Sequence, residues 1–191
     1  MLHTIGVATA AATVLRPDDA GAFPQHGRIE PPQPIPDVTV IRDDGTRLAL
    51  AQQLHGRLTA LHFMFTGCTS TCPIQGATFA RLQEQLAPRR LDRLQLLSVS
   101  VDVLGDDAPS LARWRSKLSA GPQWRATVPI AAHGERLLQW AGGGRRYGAD
   151  THATQVLLID DRPRLVFRST DLPDAKDIAS LLISLDALTR G

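Results

Sequence analysis

Cysteine is scarce in this chain, with 2 among 191 residues, and both lie in one short stretch at Cys68 and Cys72. A pair this close in sequence cannot link distant parts of a fold. A chain of this length can bury a hydrophobic core without disulfides, so no disulfide framework is needed. The two cysteines are therefore interpreted as a functional site.

The chain also lacks runs of like charge and has little net charge. Lys and Arg number 21 against 19 Asp and Glu, which gives a formal charge of +2. The basic residues are scattered, so the sequence carries no sign of a nucleic-acid partner. A composition of 43% hydrophobic and 21% charged residues is typical of a soluble globular domain.

No long hydrophobic run is present at the N-terminus. The apolar segment Ile5–Leu15 is too short to span a bilayer, and Ala20-Gly21-Ala22 has the small-x-small form of a signal-peptidase site. We interpret residues 1–33 as an export signal followed by a proline-rich tether, and residues 34–191 as one domain. The first four residues contain no Lys or Arg, so a wrongly assigned start is the alternative.

The hydrophobic pattern beyond the prolines alternates strands with helices. Asp43-Asp44-Gly45 favours a turn between two short strands, which predicts an N-terminal β-hairpin. Further strands are predicted at 58–65, 94–101, 127–131, 155–159 and 165–168. Helices are predicted at 73–86, 108–118, 135–140 and 174–188. This order predicts an α/β domain with a mixed central sheet and helices on both faces.

The cysteine pair follows a continuous apolar strand and precedes a predicted helix that has Pro73 in its first turn. Ligands bind α/β sheets at such carboxyl strand ends. Cys72 lies at the helix N-terminus, where the helix dipole favours a thiolate. Two soft sulfur ligands in this position predict a Cu(I) site or a redox dithiol.

A dithiol at the first helix indicates a thioredoxin-like fold, but two features of the usual redox site are missing. Three residues separate Cys68 from Cys72, and no proline precedes the strand at Gln155. Instead, the chain resembles the Sco/SenC/PrrC family of copper-handling proteins with a thioredoxin fold. The resemblance rests on the sequence from Phe65 to Pro73, FTGCTSTCP, and on His152 shortly before the strand that ends in LLID.

The resemblance implies that Cys68, Cys72 and His152 bind copper, as Cu(I) or Cu(II). It implies a metallochaperone rather than an enzyme, which delivers or prepares copper for a respiratory protein such as the CuA site of cytochrome c oxidase. A periplasmic or membrane-associated location, and a thiol-reducing partner, would follow. In contrast to many relatives, residues 69–71 between the cysteines are neutral, and residues 102–107 match the acidic segment of the family only loosely.

Other functions remain open at this point. Cys68 and Cys72 could instead form the redox dithiol of a thiol:disulfide reductase that keeps the cysteines of a partner reduced. A thiol peroxidase is a third alternative, although Phe65 stands where its loop would have a proline. His62 and Met64 lie in the apolar strand before the loop and are interpreted as core residues.

Overall fold

The computed structural model describes residues 26–89, 92–142 and 154–190 of the chain. The strands in these residues are β1 (Gly27–Pro34), β2 (Thr39–Arg42), β3 (Arg47–Ala49), β4 (Leu58–Met64), β5 (Leu94–Ser100), β6 (Trp124–Pro129), β7 (Gln155–Ile159) and β8 (Arg164–Asp171). The α-helices are α1 (Leu50–Leu54), α2 (Thr71–Leu86), α3 (Ala108–Lys117), α4 (Gly134–Ala141) and α5 (Ala175–Arg190). The predicted α/β class is confirmed.

The described strands form one sheet in the order β1-β8-β7-β4-β5-β6-β2-β3. The pairs β4–β5 and β5–β6 are parallel, whereas β4–β7, β7–β8 and β2–β6 are antiparallel. The sheet is therefore mixed, as the sequence predicts. Strand β4 has a neighbour on each side, and all seven of its residues are buried.

Helices cover both faces of the sheet. Leu61 and Phe63 of β4 point toward α1 and α4, in one core cluster with Leu50 and Leu137. Ala60 of β4 points the other way, into a second cluster that contains residues of α2 and α5. Because side chains alternate along a strand, β4 buries side chains on both faces of the sheet, and its two polar residues, Thr59 and His62, are buried with the apolar ones.

The predicted hairpin is confirmed as β2 and β3, which pair antiparallel across a turn in which Gly45 has a φ of 83°. The strand predicted from Thr127 begins earlier, at Trp124. Residues 124–126 pair with β5 and alternate between the core and the surface, so they continue the strand.

The proline-rich segment expected to be a tether contributes the edge strand β1, which pairs antiparallel with β8. An edge is where prolines can be accommodated, because one side of the strand needs no ladder partner. The sheet thus begins before the predicted boundary at residue 34. The predicted export signal at residues 5–22 lies outside the described residues. No helix in the described part of the chain is long and apolar enough to cross a membrane.

Candidate functional site

The cysteine loop, residues 65–70, joins the end of β4 to the start of α2. It lies at the end of the sheet where the parallel strands β4 and β5 also end. Both cysteines are free thiols. Cys72 lies in the first turn of α2 and is 1% exposed, whereas Cys68 is half-buried in the loop before it. The strand–loop–helix arrangement expected around the two cysteines is present.

The start of the loop is fixed by a buried carboxylate on a neighbouring loop. Asp106 accepts hydrogen bonds from the backbone N–H of Thr66 at 3.0 Å and from its hydroxyl at 2.5 Å. The hydroxyl of Ser100 at the end of β5 donates to the same carboxylate at 2.6 Å. This role of Asp106 was not predicted from the sequence, where residues 102–107 were noted only as a loose match to the acidic segment of the family.

The thiol of Cys68 faces the N-terminus of α2. The backbone N–H of Cys72 points at the Cys68 Sγ, with 3.4 Å between the nitrogen and the sulfur. Partial burial raises the pKa of Cys68, but hydrogen bonds from the Cys72 thiol, the Cys72 and Ser70 backbone and the Ser70 side chain outweigh it and lower the pKa to about 7. Cys68 is therefore substantially thiolate near neutral pH.

Cys72 differs from the sequence expectation. Burial, together with the hydrogen bond to Cys68 and the charge of its thiolate, raises the pKa of Cys72 to about 12. The helix dipole at this position was expected to favour a Cys72 thiolate, but the helix N-terminus stabilises the Cys68 sulfur instead. The pair therefore consists of an accessible thiolate and a buried thiol.

Cys68 and Cys72 lie against an apolar part of the core. Cys72 packs in one buried cluster with Met64 and Leu111, and Cys68 packs against the edge of this cluster. Met64 is 0% exposed, so it is a core residue, as the sequence predicts.

His62 is also a core residue. Its Nε2 lies 2.6 Å from the Ser98 hydroxyl, which accepts a hydrogen bond from Trp124 Nε1 at 2.9 Å. The imidazole lies against Phe79 of α2, with 4.1 Å between ring centroids. Burial lowers the pKa of His62 to about 3, against the opposing effect of a hydrogen bond with Gln75. His62 is thus neutral and structural at ordinary pH.

His152, the third predicted ligand, lies outside the described residues. The described strand that follows it, β7, runs antiparallel to β4, so the start of β7 lies beside the end of β4. The next described residue, Thr154, therefore lies at the same end of the sheet as the cysteine loop. In residues 26–89, 92–142 and 154–190, no three His, Cys, Asp or Glu side chains converge on a metal-binding position.

The available donors suit a soft metal ion. Two sulfurs at one strand end, with a helix N-terminus that stabilises a thiolate, match the preference of Cu(I) for thiolate ligands. The same two thiols can also form a disulfide with each other or with a partner.

The family model described as SCO1/SenC matches residues 33–121. No curated protein sequence matches the chain. A SCO1/SenC family lipoprotein from Bacillus anthracis superposes with a TM-score of 0.70 at 21% identity, covering 83% of this chain and 99% of its own. Arabidopsis thaliana ScoI with copper bound gives a TM-score of 0.68 at 18% identity, covering 80% and 98%.

A third similar structure is BsSco, described as having a disulfide switch and as a member of the Sco family of cytochrome c oxidase assembly proteins. It gives a TM-score of 0.70 at 19% identity and covers 82% of this chain and 95% of its own. At these identities the superpositions establish the fold, which is the predicted thioredoxin-like one.

Proposed function

We propose that this chain, whose residues 33–121 match the SCO1/SenC family model, is a member of that family and works as a copper-binding metallochaperone. The observation that carries the proposal is the pair of free thiols at the end of β4, one of them with a pKa of about 7. A site that takes up and releases a metal ion needs a donor that is deprotonated near neutral pH, and Cys68 meets this need.

Cys68, Cys72 and His152 are the proposed copper ligands. Thiolates suit Cu(I), and imidazole accommodates both oxidation states of copper. The pairing of β4 with β7 supports the inclusion of His152, since Thr154 lies at the edge of the sheet with the cysteine loop. Residue 152 is two positions before Thr154, a reach of about 7 Å along an extended chain.

The proposed partner is a copper-accepting respiratory protein, such as the subunit that carries the CuA site of cytochrome c oxidase. Support comes from BsSco, a similar structure whose family is described as cytochrome c oxidase assembly proteins. The proposed location is the periplasm or the periplasmic face of a membrane, in keeping with the Bacillus anthracis relative, which is described as a lipoprotein.

The test is an anaerobic Cu(I) titration of the reduced protein against a competing chelator, beside His152→Ala. We expect one tight equivalent in the wild type and an affinity at least about tenfold lower in the variant, which corresponds to about 1.4 kcal/mol. His55→Ala is the matched control, because His55 is an exposed residue at the end of α1. Equal affinity in wild type and His152→Ala would remove His152 from the ligand set.

A second function, that of a thiol:disulfide reductase, is favoured by the difference in pKa between Cys68 and Cys72. The Cys68 thiolate would attack a disulfide of the partner, forming a mixed disulfide and releasing one partner thiolate. Cys72 would then lose its proton, attack the Cys68 sulfur and release the second partner thiolate. The partner gains two electrons, and Cys68 and Cys72 become a disulfide.

The reductase is tested with Cys72→Ser, which lacks the resolving thiol. We expect this variant to accumulate a mixed disulfide through Cys68 with a disulfide-containing peptide, detected by mass spectrometry. The wild type should release reduced peptide instead. Absence of both products would contradict the reductase function and leave the copper proposal intact.

A further inference from the structure

Met64 is the one internal methionine of the sequence, since the other of its 2 methionines is Met1. It is the last residue of β4, directly before the cysteine loop. Its backbone carbonyl accepts a hydrogen bond from the N–H of Val101 at 2.8 Å, which extends the parallel pairing with β5 to the end of the strand. The position of Met64 is thus fixed at the point where the site begins.

The side chain of Met64 points toward the helix that carries Cys72. Side chains alternate along β4, and His62, two residues earlier, contacts Phe79 of α2. Met64 therefore lies on the same face of the sheet and packs in one buried cluster with Cys72. With exposures of 0% and 1%, the thioether and the thiol share a compartment closed to water.

We propose that Met64 supplies its thioether sulfur as an additional ligand to the copper ion held by the two cysteines. This inference rests on the proposed function, since it concerns the same ion. A thioether is a soft, neutral donor that suits Cu(I), and weak methionine ligands are known to tune copper redox potentials.

The surroundings of Cys68 and Cys72 also favour Cu(I). Residues 69–71 of the loop are neutral, and the floor of the site is the apolar cluster of Met64 and Leu111. Once copper has displaced the Cys72 proton, the two bound thiolates already carry more charge than Cu(I). A neutral third sulfur adds no further charge, whereas Cu(II) gains less from a soft donor. The predicted result is a site that holds Cu(I) more tightly than the cysteines and an imidazole alone would.

The experiment compares the wild type with Met64→Leu, which keeps most of the apolar volume and removes the sulfur. We expect Cu(I) affinity to fall about tenfold and Cu(II) affinity to stay unchanged. The Cu(II)/Cu(I) midpoint potential should then fall by about 59 mV. Leu111→Val is the control, because it changes packing in the same cluster without touching a sulfur, and it should leave the ratio of the two affinities unchanged.

Selenomethionine labelling tests the proposed bond between Met64 and copper without a substitution in the core. X-ray absorption at the copper edge of labelled, Cu(I)-loaded wild type should show a selenium scatterer in the copper shell. Labelled Met64→Leu retains selenium only at Met1 and should not show it.

The outcomes separate the two proposals. If the wild type binds copper tightly but shows no selenium scatterer and matches Met64→Leu in both affinities, Met64 is core packing alone and this inference is overturned. If the wild type binds no copper tightly, the metallochaperone proposal falls, and the inference about Met64 falls with it.

Discussion

The carboxylate of Asp106 holds Thr66 through two hydrogen bonds, one to its backbone N–H at 3.0 Å and one to its hydroxyl at 2.5 Å. Thr66 follows β4 and Asp106 follows β5, so the bonds join the loops at the ends of two parallel neighbours. Cys68 lies two residues beyond Thr66. The position of the accessible cysteine therefore depends on a residue 38 positions away in sequence.

We expect Asp106→Asn to lower the free energy of unfolding by about 1–3 kcal/mol, because an amide cannot accept all three hydrogen bonds that the carboxylate accepts. Urea denaturation followed by circular dichroism measures the change. Asp107→Asn is the matched control, since Asp107 is the exposed N-cap of α3 and asparagine caps a helix equally well. Equal stability of Asp106→Asn and the wild type would contradict the anchoring role.

Alkylation should distinguish the two cysteines by pH. In the metal-free, reduced protein, the reaction of Cys68 with iodoacetamide should accelerate as pH rises through about 7, because its thiolate forms there. Cys72 should react far more slowly across pH 6–9, because it is buried and its pKa is about 12. Peptide mapping by mass spectrometry gives both rates.

The Cys72→Ser variant provides a check on the cause of the Cys68 shift. Replacing the thiol donor at position 72 changes one of the hydrogen bonds that lower the pKa of Cys68, while the backbone N–H remains. The alkylation midpoint of Cys68 should move but stay below that of an ordinary cysteine. Similar rates at both cysteines in the wild type would show that the pair is not polarised as described.

Acid should destabilise the fold through His62. Its pKa is about 3 in the folded protein and 6.5 in the unfolded chain, so between these values the unfolded chain binds a proton that the folded protein does not. The free energy of unfolding should therefore decrease as pH falls below about 6.5, by about 1 kcal/mol per pH unit.

The His62→Leu variant isolates this contribution. Leucine cannot titrate, and the Ser98 hydroxyl keeps its hydrogen bond from Trp124 Nε1. The dependence of stability on pH between 6.5 and 5 should become shallower in the variant, measured by urea denaturation at each pH. Parallel curves for the two proteins would mean that another group causes the acid sensitivity.

Asp43 ties the β2–β3 hairpin to the rest of the fold. Its carboxylate pairs with Arg115 of α3 at 2.5 Å and with Arg125 of β6 at 3.3 Å, and its side chain is 4% exposed. Asp43→Ala leaves two arginines without this partner, so we expect a loss of about 3–5 kcal/mol in the free energy of unfolding.

Asp44→Ala is the matched comparison for Asp43→Ala. Asp44 is 38% exposed and pairs with Arg42 and with Arg125 near the surface, so its removal should cost less than about 1 kcal/mol. Thermal or urea denaturation of the two variants gives both values. A larger loss in Asp44→Ala than in Asp43→Ala would contradict the importance of burial in this network.

The main elements of the fold could be predicted because burial imposes a period on the sequence. Strand β4 is buried along its whole length and mostly apolar, since both faces of the sheet are covered, and α5 shows the helical spacing of a single buried face. The strand β1 was harder to recognise, because prolines obscure the pattern and only its position at the edge of the sheet makes them acceptable.

The site could be predicted in part. Local sequence indicates the two cysteines, because they lie between a buried strand and a helix. Which cysteine ionises could not be predicted, since that depends on the burial of Cys72 and on the direction of one backbone N–H. The role of Asp106 depends on contacts 40 positions apart in sequence, which no local pattern contains.

The cysteine loop is anchored at Thr66 by Asp106 and at Cys72 by α2, with residues 67–71 between the two anchors. Apart from the Cys68 thiolate, this stretch carries no charge. Two exposed side chains are apolar: Ile74, shortly after the stretch in sequence, and Leu104, two positions before Asp106. A protein that docks on this stretch would find hydroxyl groups and hydrocarbon rather than ion-pair partners. Its association rate should therefore depend only weakly on ionic strength.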